Sequence, residues 1–233
     1  MYLDKTVLGL ITARGGSKGL PRKNVLSVGG KPLIGWTVEA AKQSSLLDRI
    51  VLSSDDEEII HVAKALGCEV PFRRDAALSG DAASSADVII DCLQRLSGYD
   101  YVVLLQPTSP LRTAEDIDAA IRQCIDSGAP ACVSLSEAQE SPFWMYSLED
   151  GRAIRPIMGG HYSRRQDLPP VYVLNGAVYV AQTRWFLLYR NFISLDTHGY
   201  IMPLERSLDI DTAADLELLE EIFRRKLSLH KQC

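Results

Sequence analysis

Residues 13–24, Ala13-Arg14-Gly15-Gly16-Ser17-Lys18-Gly19-Leu20-Pro21-Arg22-Lys23-Asn24, have the chemistry of an anion cradle. Glycines let a turn come close to a ligand, and backbone N–H groups in such a turn can face an anion. Arg14, Lys18, Arg22 and Lys23 add positive charge. The spacing is neither G-x-x-x-x-G-K-[ST] nor G-x-G-x-x-G, which argues against a P-loop NTPase and a dinucleotide fold. A basic surface turn is the plainer reading, and the buried strand expected just before the turn weighs against it.

A second set of groups lies near the C-terminus. Leu208-Asp209-Ile210-Asp211 puts two carboxylates two residues apart. In extended chain both point to one face. Carboxylates so close repel unless a cation lies between them, and Mg²⁺ takes oxygen ligands together with waters and substrate phosphates. The competing reading is that Asp211 only caps the following helix. Gln106-Pro107-Thr108-Ser109-Pro110-Leu111-Arg112 forms a stiff loop whose Gln106 can both donate and accept hydrogen bonds. Arg164-Arg165 could clamp a carboxylate in bidentate fashion, or form a solvated pair. His61, His161, His198 and His230 have no metal-ligand spacing, and no Ser/His/Asp arrangement is evident.

These groups need elements to hold them. Val7-Leu8-Gly9-Leu10-Ile11 reads as a strand buried on both faces. A helix is expected from Lys31-Pro32 to about Gln43, and a strand over 49–54. Asp55 or Asp56 caps a helix that ends at Gly67. Ser84 or Ser85 starts another, to about Leu96. Residues 101–106 read as a strand, Thr113 caps a helix to about Asp126, and residues 131–136 and 175–181 read as strands. Thr212-x-x-Asp215 opens a last helix to about Leu227. Such alternation predicts an α/β fold with a mostly parallel central sheet and helices on both faces. Ligands of open α/β sheets bind at the C-terminal edge of the strands, so the Arg14, Ser53–Asp56 and Gln106–Arg112 loops should converge there. The irregular stretch 137–170 reads as a lid or dimerisation arm inserted in a single domain, 1–233.

The formal net charge of −5 does not favour nucleic-acid binding. Between Lys5 and Gly35 there are six basic residues and no acidic one. An acidic chain with one basic, glycine-rich loop suits a small anion. Met1–Thr12 does not read as a signal peptide, and no apolar run approaches the roughly 20 residues of a membrane helix. The five cysteines contain no C-x-x-C pair, which fits a reduced, cytoplasmic setting.

Taken together, five segments resemble the acylneuraminate cytidylyltransferases (CMP-sialic acid synthetases). They are 13–24, Leu104-Leu105-Gln106-Pro107-Thr108-Ser109-Pro110-Leu111-Arg112, Arg165-Gln166-Asp167-Leu168-Pro169, Asn175-Gly176-Ala177-Val178-Tyr179 and Ser207-Leu208-Asp209-Ile210-Asp211-Thr212. The resemblance implies a nucleotide-diphospho-sugar transferase-like fold and a homodimer whose arm reaches the partner's site. It implies that CMP passes from CTP to a nine-carbon 2-keto sugar acid. Arg14, Lys18, Lys23 and Asn24 would hold the triphosphate, with Lys18 catalytic. Arg74, with Asp81 to Ser85 and so Ser84 nearby, would contact the nucleotide or sugar. Gln106, Arg165, Asn175 and Tyr179 would serve the sugar. Asp209 and Asp211 would hold Mg²⁺ or Mn²⁺, with Asp211 also catalytic. Trp144 stands where members acting on sialic acid carry a lysine, so legionaminic- and pseudaminic-type acids are within range. The alternatives are a guanylyl- or uridylyltransferase acting on a sugar phosphate, and a nucleotide-binding module without turnover.

Overall fold

The computed structural model describes residues 1–16, 19–80, 83–160, 162 and 164–230. Along the chain the elements are β1 Val7–Thr12, β2 Ser27–Val28, β3 Lys31–Pro32, α1 Leu33–Gln43, β4 Arg49–Ser53, α2 Glu57–Ala65 and α3 Ser85–Arg95. Next come β5 Tyr101–Leu105, α4 Ala114–Ser127, β6 Ala131–Glu137, β7 Tyr146–Glu149 and β8 Ala153–Pro156. The chain closes with β9 Tyr172–Gln182, α5 Thr183–Tyr189, β10 His198–Ile201 and α6 Ala213–His230.

The apolar run of β1 is buried because it lies in the sheet interior, parallel to β4 on one side and β5 on the other. The six-stranded order is β10-β6-β9-β5-β1-β4. The sheet is mostly parallel, as expected, but β9 runs antiparallel to both β5 and β6. Side chains of a strand alternate between faces, so β1 feeds two cores. Val7 and Ile11 pack with α1, α2 and α4 through Val38, Ile59 and Ile117. Leu8 and Leu10 pack with α3 and α5 through Ile89 and Phe186. A third cluster joins Leu33, Ile210 and Leu219, and there Trp36 and Phe223 stack with centroids 4.1 Å apart.

Three helix starts follow the predicted caps, which satisfy amide groups left open at the first turn. Asp56 accepts from the Glu58 and Ile59 amides, and Ser84 and Thr113 form capping boxes with Asp87 and Asp116. Other expectations shift. Pro32 precedes α1 rather than opening it, because Lys31–Pro32 pairs with Ser27–Val28. Leu208–Asp211 lies outside the sheet, yet Leu208 and Ile210 still turn into the third cluster. The segment 137–170 is not wholly irregular. It leaves β6, contains the exposed β7–β8 hairpin, and returns to β9 with the Ala138 amide on the Val171 carbonyl at 2.9 Å.

Candidate active site

The loops after β1, β4 and β5 meet at the C-terminal edge of the parallel strands. The Ala13 amide donates to the Ser53 carbonyl at 3.1 Å and the Gly15 amide to Asp55 Oδ1 at 3.2 Å. Asn24 Nδ2 donates to the Arg14 carbonyl at 3.2 Å, closing the first loop on itself. Arg22, with φ 58°, turns its guanidinium to Asp56 and Glu58 at the start of α2. Lys23 points the other way: Nζ donates to the Ile210 carbonyl at 2.7 Å and to Asp211 Oδ1 at 2.9 Å. The Ile210 amide in turn donates to the Thr108 carbonyl at 2.8 Å. Gly19 makes this junction possible, since a Cβ there would stand 2.6 Å from the Asp211 carbonyl oxygen.

The result is a cavity of about 430 Å³ lined by Arg14, Lys23, Asn24, Gln106, Asp209 and Asp211 among others. A second cavity of about 340 Å³ shares Thr12 and Arg14 with it and is walled by Arg74 and Ser84. Arg74 is buried, with Nε on Ser53 Oγ at 2.9 Å. Burial lowers its pKa from the ordinary arginine value, opposed by the Asp55 charge. Six of the residues singled out in the sequence thus line one cavity, and Arg74 and Ser84 line its neighbour.

Burial raises the Asp209 pKa, a hydrogen bond with Thr108 opposes the shift, and the like charge of Asp211 adds to it. Asp211 remains open, its side chain 71% exposed. The competing role for Asp211 goes to its neighbour. Thr212 Oγ1 and Asp215 exchange the capping hydrogen bonds of α6, with Asp215 Oδ2 also accepting from the Asp211 amide. Among the described residues no three His, Cys, Asp or Glu side chains gather as a metal cluster. The Asp209–Asp211 pair is a two-carboxylate platform, and in this structure the Lys23 ammonium stands beside it as the counter-charge.

The remaining predicted residues sit elsewhere. Asn175 is buried and engaged by protein: Nδ2 donates to Ser207 Oγ at 2.9 Å, and Oδ1 accepts from Ser134 Oγ at 2.6 Å. Tyr179 packs on Phe192 at 5.3 Å, and burial, then the Asp209 charge, raises its pKa. Arg165 donates to the Gln139 carbonyl at 2.7 Å in the 137–170 segment and lines cavities separate from that of Arg14 and Asp209. Lys18 and Asp81 lie outside the described residues.

Two positioning groups were not singled out. Asp116, fully buried in the first turn of α4, receives Arg206 Nε at 2.9 Å and Nη2 at 2.8 Å, and Tyr200 OH at 3.1 Å. This pair anchors the chain three residues before Asp209. The Thr113-x-x-Asp116 capping pattern was legible, but not the second use of its carboxylate. Burial disfavours the Asp116 charge, but the Arg206, Thr113 and Tyr200 hydrogen bonds outweigh it and hold the pKa below its ordinary value. The contribution of the pair is therefore present above the unfolded carboxylate pKa and lost as pH falls through the folded one. Asp116→Asn should cost about 3 kcal/mol near neutral pH. The gap should narrow below about pH 4, as read from urea midpoints across pH. A gap unchanged in acid contradicts this assignment.

The family model for cytidylyltransferases matches residues 8–225. The chain is 35% identical over 222 residues to a pseudaminic acid cytidylyltransferase of Campylobacter jejuni, covering 93% of this chain and 96% of that one. It is 35% identical over 222 residues to a CMP-N,N'-diacetyllegionaminic acid synthase of Legionella pneumophila, with 93% and 95% covered. An N-acylneuraminate cytidylyltransferase of Streptococcus agalactiae is 38% identical over 209 residues, 88% of this chain but 50% of that longer protein. In fold it resembles a CMP:2-keto-3-deoxy-manno-octonic acid synthetase solved with CTP, at a TM-score of 0.72, 18% identity, and 95% and 99% coverage. A 4-diphosphocytidyl-2C-methyl-D-erythritol synthase of Anaerococcus prevotii has a TM-score of 0.66 at 12% identity, with 94% and 96% covered. A family match across most of the chain, with relatives aligned almost end to end, means that this protein belongs to the cytidylyltransferase family.

Proposed function

We propose that the chain transfers CMP from CTP to the anomeric hydroxyl of a nine-carbon 2-keto sugar acid of the sialic acid type, releasing pyrophosphate. The observation that carries the reading is the pair of adjoining cavities joined at Arg14. One is a basic cradle facing two carboxylates, and the other a small polar recess beside the buried Arg74. Relatives named for pseudaminic, legionaminic and N-acylneuraminic acids support the substrate class.

The hydroxyl oxygen attacks the α-phosphorus and gives up its proton to solvent water. The new O–P bond forms as the bond to the β-phosphate bridging oxygen breaks, and pyrophosphate departs with that electron pair. Such transfer depends on positioning and charge neutralisation. Arg14, Lys23 and Asn24 hold the triphosphate, and Lys18 neutralises charge developing between the α- and β-phosphates. Arg74 and Ser84 border the base or ribose. Gln106 contacts the sugar, Arg165 takes its carboxylate, and Asn175 and Tyr179 shape that side.

Asp209 and Asp211 fit a hard divalent cation. Both offer carboxylate oxygens, and the ammonium beside Asp211 marks a place where positive charge is stable. Mg²⁺ or Mn²⁺ held there would supply charge neutralisation on the phosphates and lower the pKa of a bound oxygen.

The 137–170 arm serves a homodimer, supported by exposed Leu148, Ile154 and Ile157 on and beside the β7–β8 hairpin. The enzyme works in the cytoplasm, which supplies its CTP.

Nucleotide choice tests the reading. With a panel of sugar acids, pyrophosphate release is expected with CTP and not with GTP or UTP; release with GTP or UTP alone contradicts it. Gly19→Ala should lower turnover about tenfold by pushing the loop from Asp211, and should lower the melting temperature as well, because the atom it meets is backbone. Unaltered turnover would show that this approach does not matter.

A further inference from the structure

The β5–β9 ladder ends at Leu104↔Tyr179. On its other side β9 pairs Tyr179 with Val133 and then Leu174 with Leu135, so two steps of β6 face five of β9. Asn175–Val178 is the resulting bulge. Extra residues in one strand leave ladder groups unpaired and re-aim the chain. One side of the bulge is held by polar side chains: Ser134 Oγ accepts from the Val178 amide at 2.8 Å, and Asn175 Oδ1 from the Ala177 amide at 3.2 Å.

The other side is held by a guanidinium. Arg112 Nη1 donates to the Ala177 carbonyl at 2.7 Å and to the Gln106 carbonyl at 3.2 Å, and Nη2 donates to Thr37 Oγ1 at 2.6 Å. One planar group thus replaces the ladder bonds missing between the ends of β5 and β9. Arg112 is 3% exposed and, among the described residues, has no hydrogen-bonded carboxylate, only the through-space charge of Asp116. Burial brings its pKa down to about 9. An unpaired buried charge is costly, and three hydrogen bonds fix the arrangement that this one enforces. That arrangement reaches the cleft at Gly176. Its φ is +74°, and a Cβ there would stand 2.7 Å from Gln106 Oε1. The bulge is therefore the surface against which the Gln106 amide is set.

We infer that Arg112 is a positioning residue which acts through the Asn175–Val178 bulge to set the Gln106 amide, and so governs use of the sugar acid rather than capture of CTP. The sugar half of this statement rests on the proposed function; the positioning half does not. Lysine keeps the charge but cannot span two carbonyls and a hydroxyl with one planar fork. Arg112→Lys should lower kcat/KM for the acid by about 10- to 100-fold, with KM for CTP within about twofold. In a Gln106→Ala background the same substitution should cost less than about threefold, because coupled residues are non-additive. Equal losses in both backgrounds, or a matching rise in KM for CTP, would overturn the inference. If Arg112→Lys does not fold, Thr37→Val removes the Nη2 acceptor together with the hydroxyl's own bond to the Gln106 carbonyl, and should show the same pattern at about threefold. Hydrogen exchange at the Ala177 and Val178 amides decides the positioning half without turnover. Selective acceleration there supports it, and exchange unchanged or raised across the whole sheet refutes it. A wild type that never turns over CTP would remove the proposed function while leaving this second test intact.

Discussion

Asp211→Ala should reduce turnover by about 10³-fold, the upper range for losing one preorganised electrostatic group, without unfolding the protein. The residue is well placed for a clean test. Its carboxylate is largely exposed, its ion-pair partner among the described residues is the Lys23 ammonium, and the α6 cap is made by Thr212 and Asp215 instead. Truncation leaves Asp209 without the like-charged neighbour with which it would share a cation, and leaves Lys23 bonded to the Ile210 carbonyl. Turnover and melting temperature measured together separate chemistry from folding. A variant that keeps full activity, or a wild type fully active in EDTA, contradicts the two-carboxylate assignment.

Lys18→Ala should lower kcat by about 10²-fold or more. Its neighbour Gly19 lies against the Asp211 carbonyl, and Arg14 lines the same cavity, so the loop that carries Lys18 borders the proposed triphosphate site. If Lys18 neutralises charge that grows only as the α–β bond breaks, the loss falls on kcat more than on KM for CTP. Unchanged kcat would remove that role.

Local chemistry accounts for what was legible. A five-residue apolar run before a glycine-rich turn has few options besides a buried strand, and the Asp56, Ser84 and Thr113 caps announce themselves by side-chain type. Parallel strands then bring the Arg14, Ser53–Asp56 and Gln106 loops to one edge, as the hydrogen bonds between the first two and the cavity shared by Arg14 and Gln106 show. The direction of β9 was not legible, because an apolar strand has the same pattern read either way. The roles of Asn175 and Arg112 depend on partners far away in sequence, Ser134 and Ser207 for one and Thr37 and Ala177 for the other. No local pattern reports such burial. Leu208–Asp211 illustrates the intermediate case: alternation sent its apolar residues inward, but without a neighbouring strand the segment is not part of the sheet. The short α5 and β10 had no period long enough to identify them.

The most direct test of the central claim is mass identification of the product formed from CTP and each of several 2-keto sugar acids, nine-carbon acids alongside an eight-carbon one. The expected products are a CMP-linked nine-carbon acid and equimolar pyrophosphate, abolished by Asp211→Ala. Pyrophosphate released from GTP or UTP with a sugar phosphate, or CTP bound tightly with no product from any acid, would contradict it.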